Sequence, residues 1–287
     1  MDNSCYLCST KQKYYMKNYL LILLTLIAAT SCTKYNITGS SDMQELDGRT
    51  LFLKAVVDGE IRNIDSCDVV HGKFQFSQHL DSTCVVTLSV DDMPVIPVVL
   101  EEGKIEIEIN KQRQIAKGTP LNDTLTSFNK KYEQLVMQMQ ELSHTQSQAI
   151  MNGEDMNEVN RQLAEKEQLL VIQEDRLISD FISSNFDNCL GSYVFQLATS
   201  AYEFPMLTPW IEALMTKATE TFKNDPYVKE YMQVAQQNQD IMTGVAEPGQ
   251  VVNHPANVPA PAVDATAPMQ QAAPPTPNQM ATPVEEE

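Results

Sequence analysis

Cysteine carries most of the chemistry available to this chain, and its six cysteines fall into three settings. Cys32 directly follows Ala29-Thr30-Ser31, which closes an apolar run from Tyr19 to Ala29 with Lys17 ahead of it. A short positive end, an apolar segment and small residues before a cleavage point are what a secretory processing site requires. The apolar run is too short to span ~30 Å of hydrocarbon stably as a mature helix. The arrangement predicts a lipobox in which the Cys32 sulfur carries a diacylglycerol and Cys32 becomes the mature N-terminus. Met16-Lys17-Asn18 offers a second start that gives a signal of ordinary length. Cys5 and Cys8 form a Cys-x-x-Cys pair of the kind used by metal and redox centres. They precede the processing point, so they are expected to be absent from the mature protein. Cys67, Cys84 and Cys189 make up the third setting. An oxidising envelope permits a disulfide between Cys67 and Cys84, and buried free thiols fit the same spacing.

The remaining candidates are histidines and paired carboxylates. His71 and His79 flank the run Lys73-Phe74-Gln75-Phe76. If a hairpin brought them together, they would bind a metal with Asp65 or Asp81, which defines a metal-dependent hydrolase as one function class. No ligand spacing recurs, so solvent-facing turn histidines are the simpler reading and no metal is expected. Asp91-Asp92 and Glu101-Glu102 fall at strand ends, where Ca²⁺ binding is chemically reasonable. Exposed turn carboxylates account for them with fewer assumptions. The mature part contains no Gly-rich phosphate loop, no His-Glu-x-x-His and no Gly-x-Ser-x-Gly, and no cofactor is expected.

The formal net charge is −18 over 287 residues. Losing residues 1–31 removes Lys11, Lys13, Lys17 and only one acid, Asp2, so the mature part is more acidic still. Nucleic acid is therefore excluded as a partner, because phosphate neutralisation needs clustered Lys and Arg.

Positioning these residues requires several elements. Residues 32–45 read as the lipidated cysteine and a polar tether. Over residues 46–118 short alternating runs are separated by turns at Asp58-Gly59, His71-Gly72, Asp91 to Pro94 and Glu101-Glu102-Gly103. Strands are expected at 51–57, 73–76, 85–90, 95–100 and 104–110. In the last, Ile105, Ile107 and Ile109 alternate with charged residues, as a half-buried antiparallel strand requires. After Gly118 the period changes. Leu125, Phe128, Tyr132, Leu135, Met139 and Leu142 recur in steps of three and four behind a Thr119-Pro120 entry. Asn152-Gly153 interrupts that helix, and a second from Asp155 carries Val159, Leu163, Leu170, Leu177 and Phe181. The two are expected to pack as an antiparallel hairpin within one chain. Further helices are expected over 191–199, 209–222 and 226–240, with Trp210 packing against the preceding helices. From residue 244 onward the chain is rich in Pro and Ala, has no aromatic residue and ends Glu285-Glu286-Glu287, a composition that predicts a disordered tail. The expected class is thus α+β: an antiparallel β-sandwich or open barrel, then a helical hairpin and short helices over residues 119–243, then the tail.

Several segments resemble domain of unknown function 4369. They are Tyr35-Asn36-Ile37-Thr38-Gly39, Leu51 to Val57, Ile64-Asp65-Ser66, His71-Gly72-Lys73-Phe74-Gln75-Phe76, Val98-Val99-Leu100-Glu101-Glu102-Gly103 and Ile115-Ala116-Lys117-Gly118-Thr119. The resemblance implies an N-terminal β-domain of Bacteroidetes envelope lipoproteins, commonly followed by a helical spacer and a thioredoxin-like domain. Counting the spacer, where Leu190-Gly191-Ser192-Tyr193-Val194-Phe195 also fits, it covers about residues 35–240. Where a thioredoxin-like domain would begin, this chain has its Pro/Ala-rich segment, and Trp-Cys-x-x-Cys does not occur. Disulfide exchange needs a low-pKa thiolate beside a resolving partner, so redox activity is not carried over. The expectation is a non-enzymatic envelope lipoprotein, bound to the membrane through Cys32 and to an envelope protein partner through its folded part. The alternative is an accessory factor in envelope thiol metabolism that contacts a separate thioredoxin-like protein. Thr33 in place of the Asp associated with inner-membrane retention in enteric bacteria leans the location toward the outer membrane.

Overall fold

The computed structural model describes residues 34–57 and 60–245. The expected signal segment, Cys5, Cys8, Cys32, the Asp58-Gly59 turn, His254 and nearly all of the expected tail lie outside the described residues.

Eight strands come first: β1 Lys34–Ser41, β2 Thr50–Val57, β3 Glu60–Asp68, β4 Lys73–His79, β5 Cys84–Val90, β6 Met93–Leu100, β7 Gly103–Ile109 and β8 Gln114–Lys117. They form two four-stranded sheets ordered β4-β1-β7-β8 and β3-β2-β5-β6. Neighbours are antiparallel except β1 and β7, which run parallel with Tyr35 opposite Gly103 and Ser41 opposite Ile109. The two inner faces form one core, in which Ile37, Ile105 and Ile107 from one sheet meet Leu51, Leu53 and Leu88 from the other. Each such side chain, fully buried, contributes roughly 1.5–3 kcal/mol against exposure. Strand β6 reads Val95 to Leu100 without alternation because both of its faces are used. Val98 and Leu100 enter the sandwich core, whereas Val99 enters a second core on the far side of the sheet.

That second core is helical. Helices α1 Pro120–Asn152 and α2 Met156–Ser184 form the hairpin, followed by α3 Cys189–Thr199, α4 Pro209–Lys217, α5 Glu220–Lys223 and α6 Pro226–Met242. Gly153 ends α1 in the left-handed region at φ 69°, and the Asp155 carboxylate caps α2 by accepting the Asn157 N–H. The seam closes at Phe128 and Phe181, whose rings lie 4.2 Å apart. Phe195 centres the short-helix cluster, with Trp210 stacked at 6.3 Å and Phe222 and Tyr231 edge-on at 5.6 and 5.3 Å. The Trp210 indole N–H donates to Ser179 Oγ of α2 at 2.7 Å, so it packs on the hairpin. No helix among the described residues is long and apolar enough to cross a membrane.

Three expectations are corrected. The tether expected over residues 32–45 is not found in its described part: from Lys34 to Ser41 the chain is a central strand. Asn36, Thr38 and Ser40 line the wetter face, while Tyr35 and Ile37 are buried and Gly39 lies under the Phe74 ring. Strand β3 is absent from the sequence expectation, because an edge strand exposed along most of its length shows no apolar period. The helix expected over 209–222 is two. Ala218 turns extended at ψ 141°, and the Thr219 hydroxyl donates to the Phe186 carbonyl and accepts the Phe222 N–H, starting α5 afresh.

Candidate functional site

The three described cysteines are all free. Cys67 pairs with Leu51, and Leu51 with Val90, six residues along β5 from Cys84. Two interstrand steps and that stretch of strand separate Cys67 from Cys84 by on the order of 20 Å. A disulfide needs Cα atoms within about 7 Å, so of the two readings that the spacing permits, the register leaves the free thiols and removes the Cys67–Cys84 bridge. Burial pushes the Cys67 thiol up to about 11 and Cys189 up to about 12, and it raises Cys84. Each is a half-buried, protonated thiol, the opposite of an activated nucleophile.

His71 and His79 are not brought together. His71 sits in the turn before β4, at φ 51°, and His79 ends β4. A strand of this length holds its ends roughly 20 Å apart, which removes the proposed shared metal. Asp65 is used otherwise, accepting the Tyr35 hydroxyl across the two sheets at 3.1 Å. Among the described residues no group of three or more His, Cys, Asp or Glu is placed to hold a metal ion.

The carboxylate pairs have individual duties. Asp91 bonds Arg49. Asp92 bonds Lys54 at 2.9 Å. Glu101 is buried, and its Oε1 accepts the backbone N–H groups of Leu121 and Asn122 at 2.9 and 3.0 Å and Asn122 Nδ2 at 3.3 Å. Asn122, also buried, accepts the Val99 N–H at 2.9 Å and returns a bond to the Val99 carbonyl at 2.8 Å. Its Nδ2 also donates to Thr119 Oγ1 at 2.8 Å. A carboxylate and a carboxamide thus fasten the first turn of α1 to the end of β6 and satisfy donors that a helix N-terminus leaves unpaired. Sequence reading places Glu101 on an exposed turn and does not single out Asn122. No local pattern signals either residue: β7 and β8 lie between Glu101 and the helix entry at Pro120, and the approach of β6 to α1 is tertiary.

The turn and core residues that carried the resemblance serve the fold in the same way. Gly103 and Gly118 take φ 126° and 98° beside each other at this joint, where only glycine is at ease. Gly72 takes φ 67° against the Ser41 carbonyl. Phe74 and Phe76 pack edge to face at 6.2 Å inside the core.

Two surfaces stand out among the described residues. An open cleft of about 500 Å³ on the outer face of the β3-β2-β5-β6 sheet is lined by Lys54, Ile61, Asn63, Ser89, Asp92 and Pro94. Lys54 is the cation of that lining, 9% exposed, tied to the solvent-exposed Asp92 and placed 5.8 Å over the Phe52 ring. The sequence signal for Lys54 is a charge inside an apolar strand. The other surface is the hairpin. Met137 on α1 and Leu169, Val171 and Ile172 on α2 are exposed, as are Ile150 and Met151 near its turn.

A β-sandwich continued by helices that are bolted to both of its sheets, through Val99 of β6 and Ala116 of β8, is the class that this architecture defines. Residues 35–125 match the family model described as Domain of unknown function (DUF4369). The chain therefore carries that domain, and the match runs through Asn122 into the first turns of α1, so the bolt lies inside the matched region. No curated protein matches the chain.

Proposed function

We propose that this protein is a non-enzymatic, lipid-anchored cell-envelope module that binds or scaffolds an envelope protein. Anchoring rests on the Cys32 lipobox, with the acylated mature protein in the outer membrane of a bacterial envelope of the Bacteroidetes type. The observation that carries binding is the hairpin: its paired helices α1 and α2 present apolar side chains, from Met137 to Ile172, to solvent. Contiguous exposed apolar surface marks interaction sites in soluble domains, and the reading takes the apolar side chains of the hairpin as such a surface. The thiol-metabolism reading draws no support from Cys67, Cys84 and Cys189, which are free, half-buried and held protonated.

The test is photocrosslinking in cells from positions on the hairpin, with a crosslinkable side chain replacing Met137 or Leu169 and, as control, Gln112 at the far turn of the sandwich. A specific envelope partner trapped from the hairpin positions and not from the control supports the reading. Equal trapping from all three, or none, contradicts it.

A further inference from the structure

The chain enters the sandwich and leaves it for the helices at the same end. Lys34 and Tyr35 open β1 beside His79 and Gly103, and the parallel β1 and β7 both run away from that end. Strand β8 returns to it at Lys117, opposite Glu106. After Gly118, Thr119 sits against Gly103, and α1 begins. Seven residues on, Thr126 Oγ1 donates to the Ala116 carbonyl at 2.6 Å. Ala116 pairs with Ile107, four residues along β7 from Gly103. Four residues of strand rise ~13 Å and seven of helix ~10 Å. Over its first turns α1 therefore climbs along β7, in the direction of β1. Its 33 residues reach ~50 Å, against ~26 Å for the eight residues of β1.

We propose that the end of the sandwich where β1 begins lies against lipid headgroups and that the hairpin turn is its membrane-distal tip. This rests on the reading of Cys32 as the lipidated residue. Cys32 and Lys34 are two residues apart, so their Cα atoms are at most ~7 Å apart. An acyl chain on Cys32 leaves no linker to lift or invert the sandwich, and the start of β1 stays at the bilayer surface. That end exposes Lys34, His79, Asp81, Ser82, Thr83 and Glu102, a mixed polar surface suited to the headgroup layer and not to hydrocarbon. The apolar side chains of the hairpin are then carried away from the lipid, toward a protein partner.

Full-length protein extracted from cell membranes is reconstituted into phosphatidylethanolamine and phosphatidylglycerol vesicles bearing an acceptor dye on the headgroup. A donor is attached at a single azido residue, in the variant Ser82→azidophenylalanine or Asn152→azidophenylalanine, and the N-terminal peptide of the same sample is weighed. Energy transfer severalfold greater from position 82 than from position 152, with acyl mass on Cys32, supports the orientation. Equal or greater transfer from position 152 with acyl mass present overturns the orientation and leaves the anchor standing. An unmodified N-terminal peptide overturns both together.

Discussion

Glu101 and Asn122 are joined at two points: Glu101 Oε1 accepts the Asn122 backbone N–H at 3.0 Å and its Nδ2 at 3.3 Å. One end of this pair belongs to the turn that closes β6 and the other to α1, so the joint between sandwich and helices is a buried polar lock and not only apolar contact. Asn122→Ala leaves the Val99 N–H and carbonyl and part of the Glu101 carboxylate without partners. Groups stranded in this way cost about 1–3 kcal/mol each. The expected result is a loss of about 2–4 kcal/mol in urea unfolding, with sandwich and helices melting in separate steps. A variant that unfolds in one unchanged transition contradicts the lock.

Gly39 and Phe74 are paired directly across β1 and β4, with the ring lying over the glycine. A Cβ at position 39 overlaps that ring, which is itself buried and has little room to move. Gly39→Ala should cost about 1–3 kcal/mol. In a double-mutant cycle with Phe74→Leu much of that cost should vanish, because the smaller side chain makes room. Additive costs would show that the ring does not constrain Gly39.

The thiols give a chemical prediction. Burial holds Cys67 up to about 11 and Cys189 up to about 12, so the thiolate fraction at neutral pH is very small. Cys67, Cys84 and Cys189 should alkylate slowly in the folded protein, faster as pH rises, and completely on denaturation. Intact mass without reductant should show all three as thiols. A mass two hydrogens short would reinstate a bridge.

Glu174 is set into the hairpin seam opposite Tyr132. Burial raises its pKa, partly offset by the Tyr132 hydrogen bond, and Tyr132 is itself pushed up to about 12. The folded state thus binds the Glu174 proton more tightly than the unfolded chain does. Its favourable contribution is fully present below the ordinary carboxylate range and is lost as pH rises through the raised value. Glu174→Gln should therefore stabilise the protein at pH 7 and narrow its gap from the parent as pH falls toward 4, measured by thermal melts. Destabilisation at pH 7 would mean that the charged Tyr132–Glu174 bond outweighs burial.

Elements whose pattern comes from a single buried face are legible in the sequence. Ile105, Ile107 and Ile109 define β7, and the Thr119-Pro120 entry with the Asn152-Gly153 exit bounds α1. What escapes depends on neighbours distant in sequence. Strand β1 reads as a polar linker because its glycine is matched to Phe74 and its wet face is polar. Strand β3 is an edge with little to bury. The sequence permits either a Cys67–Cys84 bridge or free thiols, and only the β3-β2-β5 register, which places them far apart, decides. The same limit applies to the site. Lys54 shows in sequence only as a charge inside an apolar strand, and the two ends of the Glu101–Asn122 lock are ordinary there, made distinctive by the strands and helix that meet around them.

The proposed function depends first on Cys32 carrying the anchor. The most direct measurement is the mass of the N-terminal peptide of protein extracted from washed cell membranes, beside a Cys32→Ser variant. The expected result is a peptide that begins at Cys32 with a thioether-linked diacylglycerol, and a variant that is unprocessed and unacylated. A parent peptide that begins at Met1 or Met16 without acyl mass would contradict the claim and the orientation built on it.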